Sequence, residues 1–180
     1  KATRRDNTPL LHLLHTARRS CAAFGAEDLP HLLASGECQV AIAGDQVRAM
    51  LCATVGRLPW GFLRGAAIAD GWRADEALTA LLEPLIQQVS RRGVTQLAVY
   101  GTALWLPPLL LRVEFQRVDW IVTLERHPRP LPVAAPPAAV IRPVTASDLP
   151  ALAALDEAVF APPYQLASGE LIEYMVTSGY

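Results

Sequence analysis

The feature that most constrains this chain is the stretch from 128 to 139, which holds five prolines and four alanines. Proline lacks a backbone N–H and fixes φ, so a run this dense joins neither a helix interior nor a central strand. It forms a semi-rigid extended spacer. Folding is thereby divided. Residues 1–127 are long enough to build a core of their own, whereas residues 140–180 are too few for a second complete one. The sequence therefore predicts one nearly complete α/β domain over 1–127, a linker over 128–139, and the opening elements of a second domain over 140–180.

Composition narrows the class. The 180 residues are 52% hydrophobic and 18% charged, which excludes disorder. A formal net charge of −1 leaves no basic field for nucleic acid. Arg4, Arg5, Arg18 and Arg19 read as a solvated helix face. No apolar run approaches the ~20 residues of a membrane span, and the run 104–111 is broken by Pro107 and Pro108. The N-terminus lacks the pattern of a secretory signal. Cys21, Cys38 and Cys52 are odd in number and fit no metal spacing, so they read as reduced thiols of a cytoplasmic protein. His12 and His15 share a predicted helix without a third ligand, and no metal site is expected.

Periodicity supplies the elements. A helix is predicted over 9–20, with Thr8 as N-cap, Pro9 at the first position and a stripe of Leu10, Leu11, Leu14 and Ala17. A second helix, 27–34, stops at Gly36. Residues 38–43 and 47–56 flank Gly44-Asp45 and read as a β-hairpin, followed by a strand at 62–69. The strongest helix is 74–92, where Leu78, Leu81, Leu82, Leu85, Ile86 and Val89 recur at helical spacing. Asp75 and Glu76 open it, Gly93 ends it, and Pro84 is expected to kink it. A strand at 94–100 makes a parallel crossover with 62–69. A helical stretch at 107–113 and a long strand at 115–125 complete the unit. Beyond the linker, 140–144 reads as a strand, 149–159 as a helix and 168–177 as another.

This order resembles that of the GNAT N-acetyltransferase superfamily. Three segments carry the resemblance: Val140-Ile-Arg-Pro-Val-Thr-Ala-Ser-Asp-Leu-Pro-Ala-Leu, Ala69-Asp-Gly-Trp-Arg-Ala-Asp-Glu-Ala-Leu-Thr-Ala-Leu-Leu, and Leu111-Arg-Val-Glu-Phe-Gln-Arg-Val-Asp. The resemblance implies an α/β (α+β) fold with a central mixed sheet flanked by helices. The two parts of the chain also resemble each other: Thr8-Pro9-Leu10-Leu11 aligns with Leu149-Pro150-Ala151-Leu152, and Ser35-Gly36 with Ser178-Gly179. On that register Lys1-Ala2-Thr3 matches Arg142-Pro143-Val144, so the chain reads as a piece of a tandem GNAT protein that starts inside the first opening strand. The resulting open sheet edge is expected to be filled by 140–144, within the chain or by exchange in a homodimer.

The resemblance also implies acetyl-CoA as cofactor and a small-molecule or peptide amine as acceptor. Its pyrophosphate loop falls on Ile68, Ala69, Arg73, Ala74, Glu76, Ala77, Leu78 and Thr79. Arg73 matches the family pattern, while Glu76 and Leu78 replace its two glycines. Glycines there let backbone N–H groups approach a phosphate. Two carboxylates, Asp75 and Glu76, instead satisfy the helix terminus and repel an anion. The strand 62–69 offers no acid to serve as base, Leu110 stands where many members carry a tyrosine, Tyr100 lies at a strand end, and Glu114 replaces a glycine. Glu157, Tyr164, Glu170, Glu173 and Tyr174 fall in the region that contacts acceptors in the family. The expectation is an acetyltransferase whose first domain is inactive, or a non-catalytic structural or acceptor-binding module.

Overall fold

A computed structural model describes residues 1–35, 37–100, 103–119, 140–166, 169, 171 and 172. A 3-10 turn, Arg4–Asp6, leads into α1 (Asn7–Thr16), then β1 (Arg19–Ala22) and α2 (Leu29–Ser35). Three antiparallel strands follow, β2 (Cys38–Ala43), β3 (Gln46–Val55) and β4 (Trp60–Ile68). Next come α3 (Ala74–Ser90), β5 (Gln96–Val99) and α4 (Leu106–Arg112), and past the linker a turn (Ala146–Asp148) and α5 (Leu149–Val159).

The hairpin forms because Gly44 takes the left-handed conformation (φ 57°) between two runs of apolar residues. The sheet is mixed: β2, β3 and β4 pair antiparallel, and β4 pairs parallel with β5, Trp60 to Leu63 lying opposite Gln96 to Val99. This is the crossover expected from the sequence. It is made by α3, which sets six apolar side chains from Ala77 to Val89 against one sheet face. Burial of each large member contributes about 1.5–3 kcal/mol. The helix runs on through Pro84 and ends where Gly93 adopts φ 90°, with the Val94 N–H donating to the Val89 carbonyl. On the other face, Leu10 and Leu13 of α1 and Leu29, Leu32 and Leu33 of α2 pack on Cys38, Met50, Cys52 and Ala67. The result is a helix–sheet–helix sandwich. Buried Glu37 joins the strands to the end of α3 through an ion pair with Arg92.

β4 is bent at Arg64. Cys52 pairs with Gly65 but Ala53 pairs with Leu63, which leaves Arg64 as the extra residue of a β-bulge. The bulge divides the outer edge of β4. Its first half, 60–63, holds β5; its second half, 65–68, holds β1 antiparallel.

Three expectations are corrected. The predicted helix 9–20 ends at Thr16, because Ala17 turns to an extended conformation (ψ 132°) and the chain enters β1. The predicted strand 115–125 is no strand over its described part, 115–119. There Glu114 reverses the chain at φ 68°, and Val118 lies 77% exposed. Residues 120–125, the linker and most of 168–177 lie outside the described residues. Finally, 140–144 fills no edge of the described sheet: it is exposed and belongs to no strand. Pro143 lacks a donor, and the Arg142 guanidinium is held by Asp148 at 2.7 Å instead. The outer side of β2 receives a hydrogen bond from the Ala2 N–H to the Cys38 carbonyl.

Candidate functional site

The site residues inferred from sequence come together at the C-terminal end of β4 and the first turn of α3. Ile68 closes β4 and is buried. Ala69 turns the chain, its N–H donating to the Arg48 carbonyl and its own carbonyl accepting from Trp72. Gly71 sits at φ 83°, a conformation a side chain would strain. The Arg48 guanidinium lies over the Trp72 ring, 5.9 Å from its centre, and stiffens the turn. Arg73 is the N-cap of α3 and Ala74 its first residue.

Chemically six of the eight residues split into two groups, with Ala69 and Ala74 half-buried between them. Ile68, Ala77 and Leu78 point into the core, so Leu78 at 2% exposure presents nothing to a ligand. Arg73, Glu76 and Thr79 face solvent. Arg73 is already used: it pairs with Asp75 at 3.3 Å and with Glu76 at 2.8 Å. The Asp75 carboxylate accepts from the backbone N–H of Glu76, which, together with Arg73, holds its pKa below the usual carboxylate range. The Thr79 hydroxyl bonds the Asp75 carbonyl at 2.9 Å. A shallow hollow here is lined by Asp75, Glu76, Thr79 and Ala80.

A pyrophosphate needs free N–H donors and positive potential at a helix start. Here the Glu76 N–H and the Arg73 guanidinium are engaged by carboxylates at the surface. The residues present therefore do not fit the diphosphate of CoA.

The sheet tells the same story. Past the bulge, β3 fills the inner edge of β4 and β1 takes the outer one. What is left is a crevice of about 20 Å³ lined by Cys21–Ala23, Leu63–Ala66, Val99, Tyr100 and Leu106, with Leu51 at its floor. It is close to the size of one water molecule. Tyr100 stacks on Phe62 (5.7 Å between rings, 13° between planes), and Leu110 is buried in the core. No Asp or Glu lies on β4.

Sequence reasoning missed β1 and its place on β4. Four residues, Arg-Ser-Cys-Ala, carry no readable alternation. The one legible signal was Gly65, since a glycine inside a strand marks a bulge or a close approach. Of the acceptor-region residues, two reach back to the first unit: Glu157 pairs with Arg57, and the Tyr164 hydroxyl donates to Asp119 at 2.8 Å. Glu170, Glu173 and Tyr174 lie outside the described residues.

The strand order, the parallel β4–β5 pair and the α3 crossover give the fold seen in solved GNAT N-acetyltransferases. Among solved structures, the chain resembles Rv2747 of Mycobacterium tuberculosis in complex with CoA (16% identity over 66% of this chain and 70% of that one, TM-score 0.55). It also resembles the diaminobutyrate acetyltransferase EctA of Paenibacillus lautus, solved with L-2,4-diaminobutyric acid and coenzyme A (18%, 63% and 71%, TM-score 0.54). A third is the aminoglycoside 6'-N-acetyltransferase AAC(6')-IG of Acinetobacter haemolyticus (18%, 70% and 95%, TM-score 0.53). No protein-family profile and no curated protein matches the chain.

Proposed function

We propose that this chain is part of an intracellular acetyl-CoA-dependent N-acetyltransferase acting on a primary amine, in which the unit 1–127 is non-catalytic and 140–180 opens a second unit of the same kind. The fold supports the class, and the solved structures it resembles include enzymes named for agmatine, diaminobutyrate and aminoglycosides. Acetyl-CoA supplies the acetyl group as a thioester for direct attack by the amine. The residues of the first unit are assigned no step in that transfer.

The observation that carries this reading is the closed start of α3, where Arg73, Asp75 and Glu76 bind one another. The internal repeat supports the second unit. Thr3 and Asp6 make a reciprocal cap, with the Thr3 N–H and hydroxyl both donating to Asp6, and Thr145 and Asp148 make the same cap 142 residues later. The repeat thus sits one residue from the register suggested by Pro9 and Pro150. A structural role for the first unit, as support for its neighbour, is favoured by the Arg57–Glu157 and Asp119–Tyr164 contacts.

The test is steady-state acetyl transfer from acetyl-CoA to a panel of primary amines by the parent protein and by its Arg73→Ala and Glu76→Ala variants. Activity with kcat/KM within twofold of the parent in both variants supports the assignment. A tenfold or greater loss in either would place the first unit in the reaction.

A further inference from the structure

The edge of β4 beyond its bulge has a recognition chemistry of its own. We propose that residues 65–68 form a strand-addition site for an extended peptide, and that β1 is its resident, exchangeable occupant. The inference goes beyond the acyl-transfer reading and does not depend on it.

A strand edge binds an extended chain through its unpaired N–H and C=O groups, with flanking side chains setting specificity. The bulge at Arg64 creates such an edge by steering β4 away from β5 after Leu63. β1 covers it with four residue pairs, Arg19–Ile68 to Ala22–Gly65. It is short, none of its residues is fully buried, and loops of two and six residues tie it to α1 and α2. Strands this short with few buried side chains are drawn from the low-stability end of a fold, even where, as here, Cys21 touches the core and the Ser20 hydroxyl bonds the Leu14 carbonyl.

The contacts β1 makes describe the partner. At one end Arg18 pairs with Asp70, the side chains 3.6 Å apart and the Arg18 N–H 3.3 Å from the carboxylate. In the middle, Ser20, Cys21 and Ala22 lie opposite Ala67, Ala66 and Gly65, where only small side chains stand on the edge. Beyond β1 the Ala23 carbonyl accepts two hydrogen bonds from the Arg64 guanidinium (3.1 and 2.7 Å), and the Ala23 N–H donates to the Arg64 carbonyl at 2.7 Å. Phe24 then lies over Gly65 so closely that a Cβ there would come within 2.6 Å of its ring. The site thus takes an extended peptide with a basic residue at its start, small residues along the edge and an aromatic six positions after the basic one. Asp70 disfavours an acidic residue at that start.

The experiment uses the full chain, wild type and Cys21→Pro, and a fluorescent peptide with the sequence of residues 18–24. Because the Ala23 N–H bonds to β4, alternation places the Cys21 N–H in the ladder as well, so proline there releases β1. Hydrogen exchange at 65–68 reports the release directly. Expected is peptide binding at least tenfold tighter to Cys21→Pro than to wild type, renewed protection of 65–68, and loss of binding when the peptide carries proline in place of its cysteine. If Cys21→Pro fails to fold, Phe24→Ser removes the ring over Gly65 and is read the same way. Fast exchange at 65–68 with unchanged peptide affinity would overturn the proposal, as would equal binding of the proline-bearing peptide.

Discussion

Two segments of this molecule share one local structure and differ in what covers it. Thr3 to Thr16 and Thr145 to Val159 each begin with a threonine that caps a 3-10 turn, an aspartate that answers it, and an α-helix that starts on the next residue. Leu10 and Leu152, and Leu13 and Leu155, occupy equivalent positions. In α1 these leucines are buried, Leu10 completely; in α5 Leu155 is 59% exposed and no residue is buried. The cap is therefore written in three or four neighbouring residues and forms wherever they occur. Burial is not written there; it needs the sheet face of Met50, Cys52 and Ala67, which α1 meets and the described residues of α5 do not.

The largest effect that separates the two segments is loss of a leucine. Leu10→Ala is expected to destabilise the chain by about 2–5 kcal/mol, whereas Leu155→Ala changes stability by less than about 0.5 kcal/mol. Urea unfolding of both variants measures this, and equal losses would erase the distinction between them. Next in size are the caps themselves. Thr3→Ala is expected to cost about 1 kcal/mol of global stability, while Thr145→Ala lowers helicity at 149–159 and leaves the global midpoint in place. Amide exchange and urea unfolding read the two together.

Comparable in size and opposite in sign is Glu114→Gly. Glu114 holds φ 68°, a conformation disfavoured for any residue with a Cβ. Its replacement by glycine is expected to stabilise the chain by up to about 1 kcal/mol, since the strain relieved exceeds the unfolded-state entropy added. A lower urea midpoint would contradict this.

The smallest effect is electrostatic and tests whether the second cap stands by itself. The Arg142 guanidinium, and after it Thr145, hold the Asp148 carboxyl well below its ordinary range. A depressed folded pKa favours the cap above the unfolded carboxylate value of ~3.9 and loses that contribution as pH falls through the folded value. The Asp148 titration followed by NMR is expected to show a midpoint below that range, returning toward it in Arg142→Ala. An unmoved midpoint would remove Arg142 from the cap.

The contrast between local and tertiary signals also accounts for what the sequence disclosed. The hairpin at Gly44, the apolar face of α3 and its stop at Gly93 are short-range patterns, and each was legible. The two carboxylates at the α3 start were legible as well, but their pairing with Arg73 was seen only in the structure. The strand character expected of 115–119 and 140–144 came from apolar residues that find no partner strand there. β1 was illegible for the converse reason: Arg19 to Ala22 are strand residues only because the bulge at Arg64 leaves them an edge. Of the candidate site, the sequence named the residues, but both the pairing of Arg73 with Asp75 and Glu76 and the filling of the β4 edge required the fold.

On the reading proposed above, the first unit has an N-acetyltransferase fold without a place for acetyl-CoA. Calorimetric titration of the chain with acetyl-CoA tests it most directly. Expected is no binding tighter than about 1 mM, a free energy no larger than about 4 kcal/mol in magnitude. Micromolar binding that is lost in Arg73→Ala would contradict it, for it would mean that Arg73 exchanges its carboxylates for a phosphate.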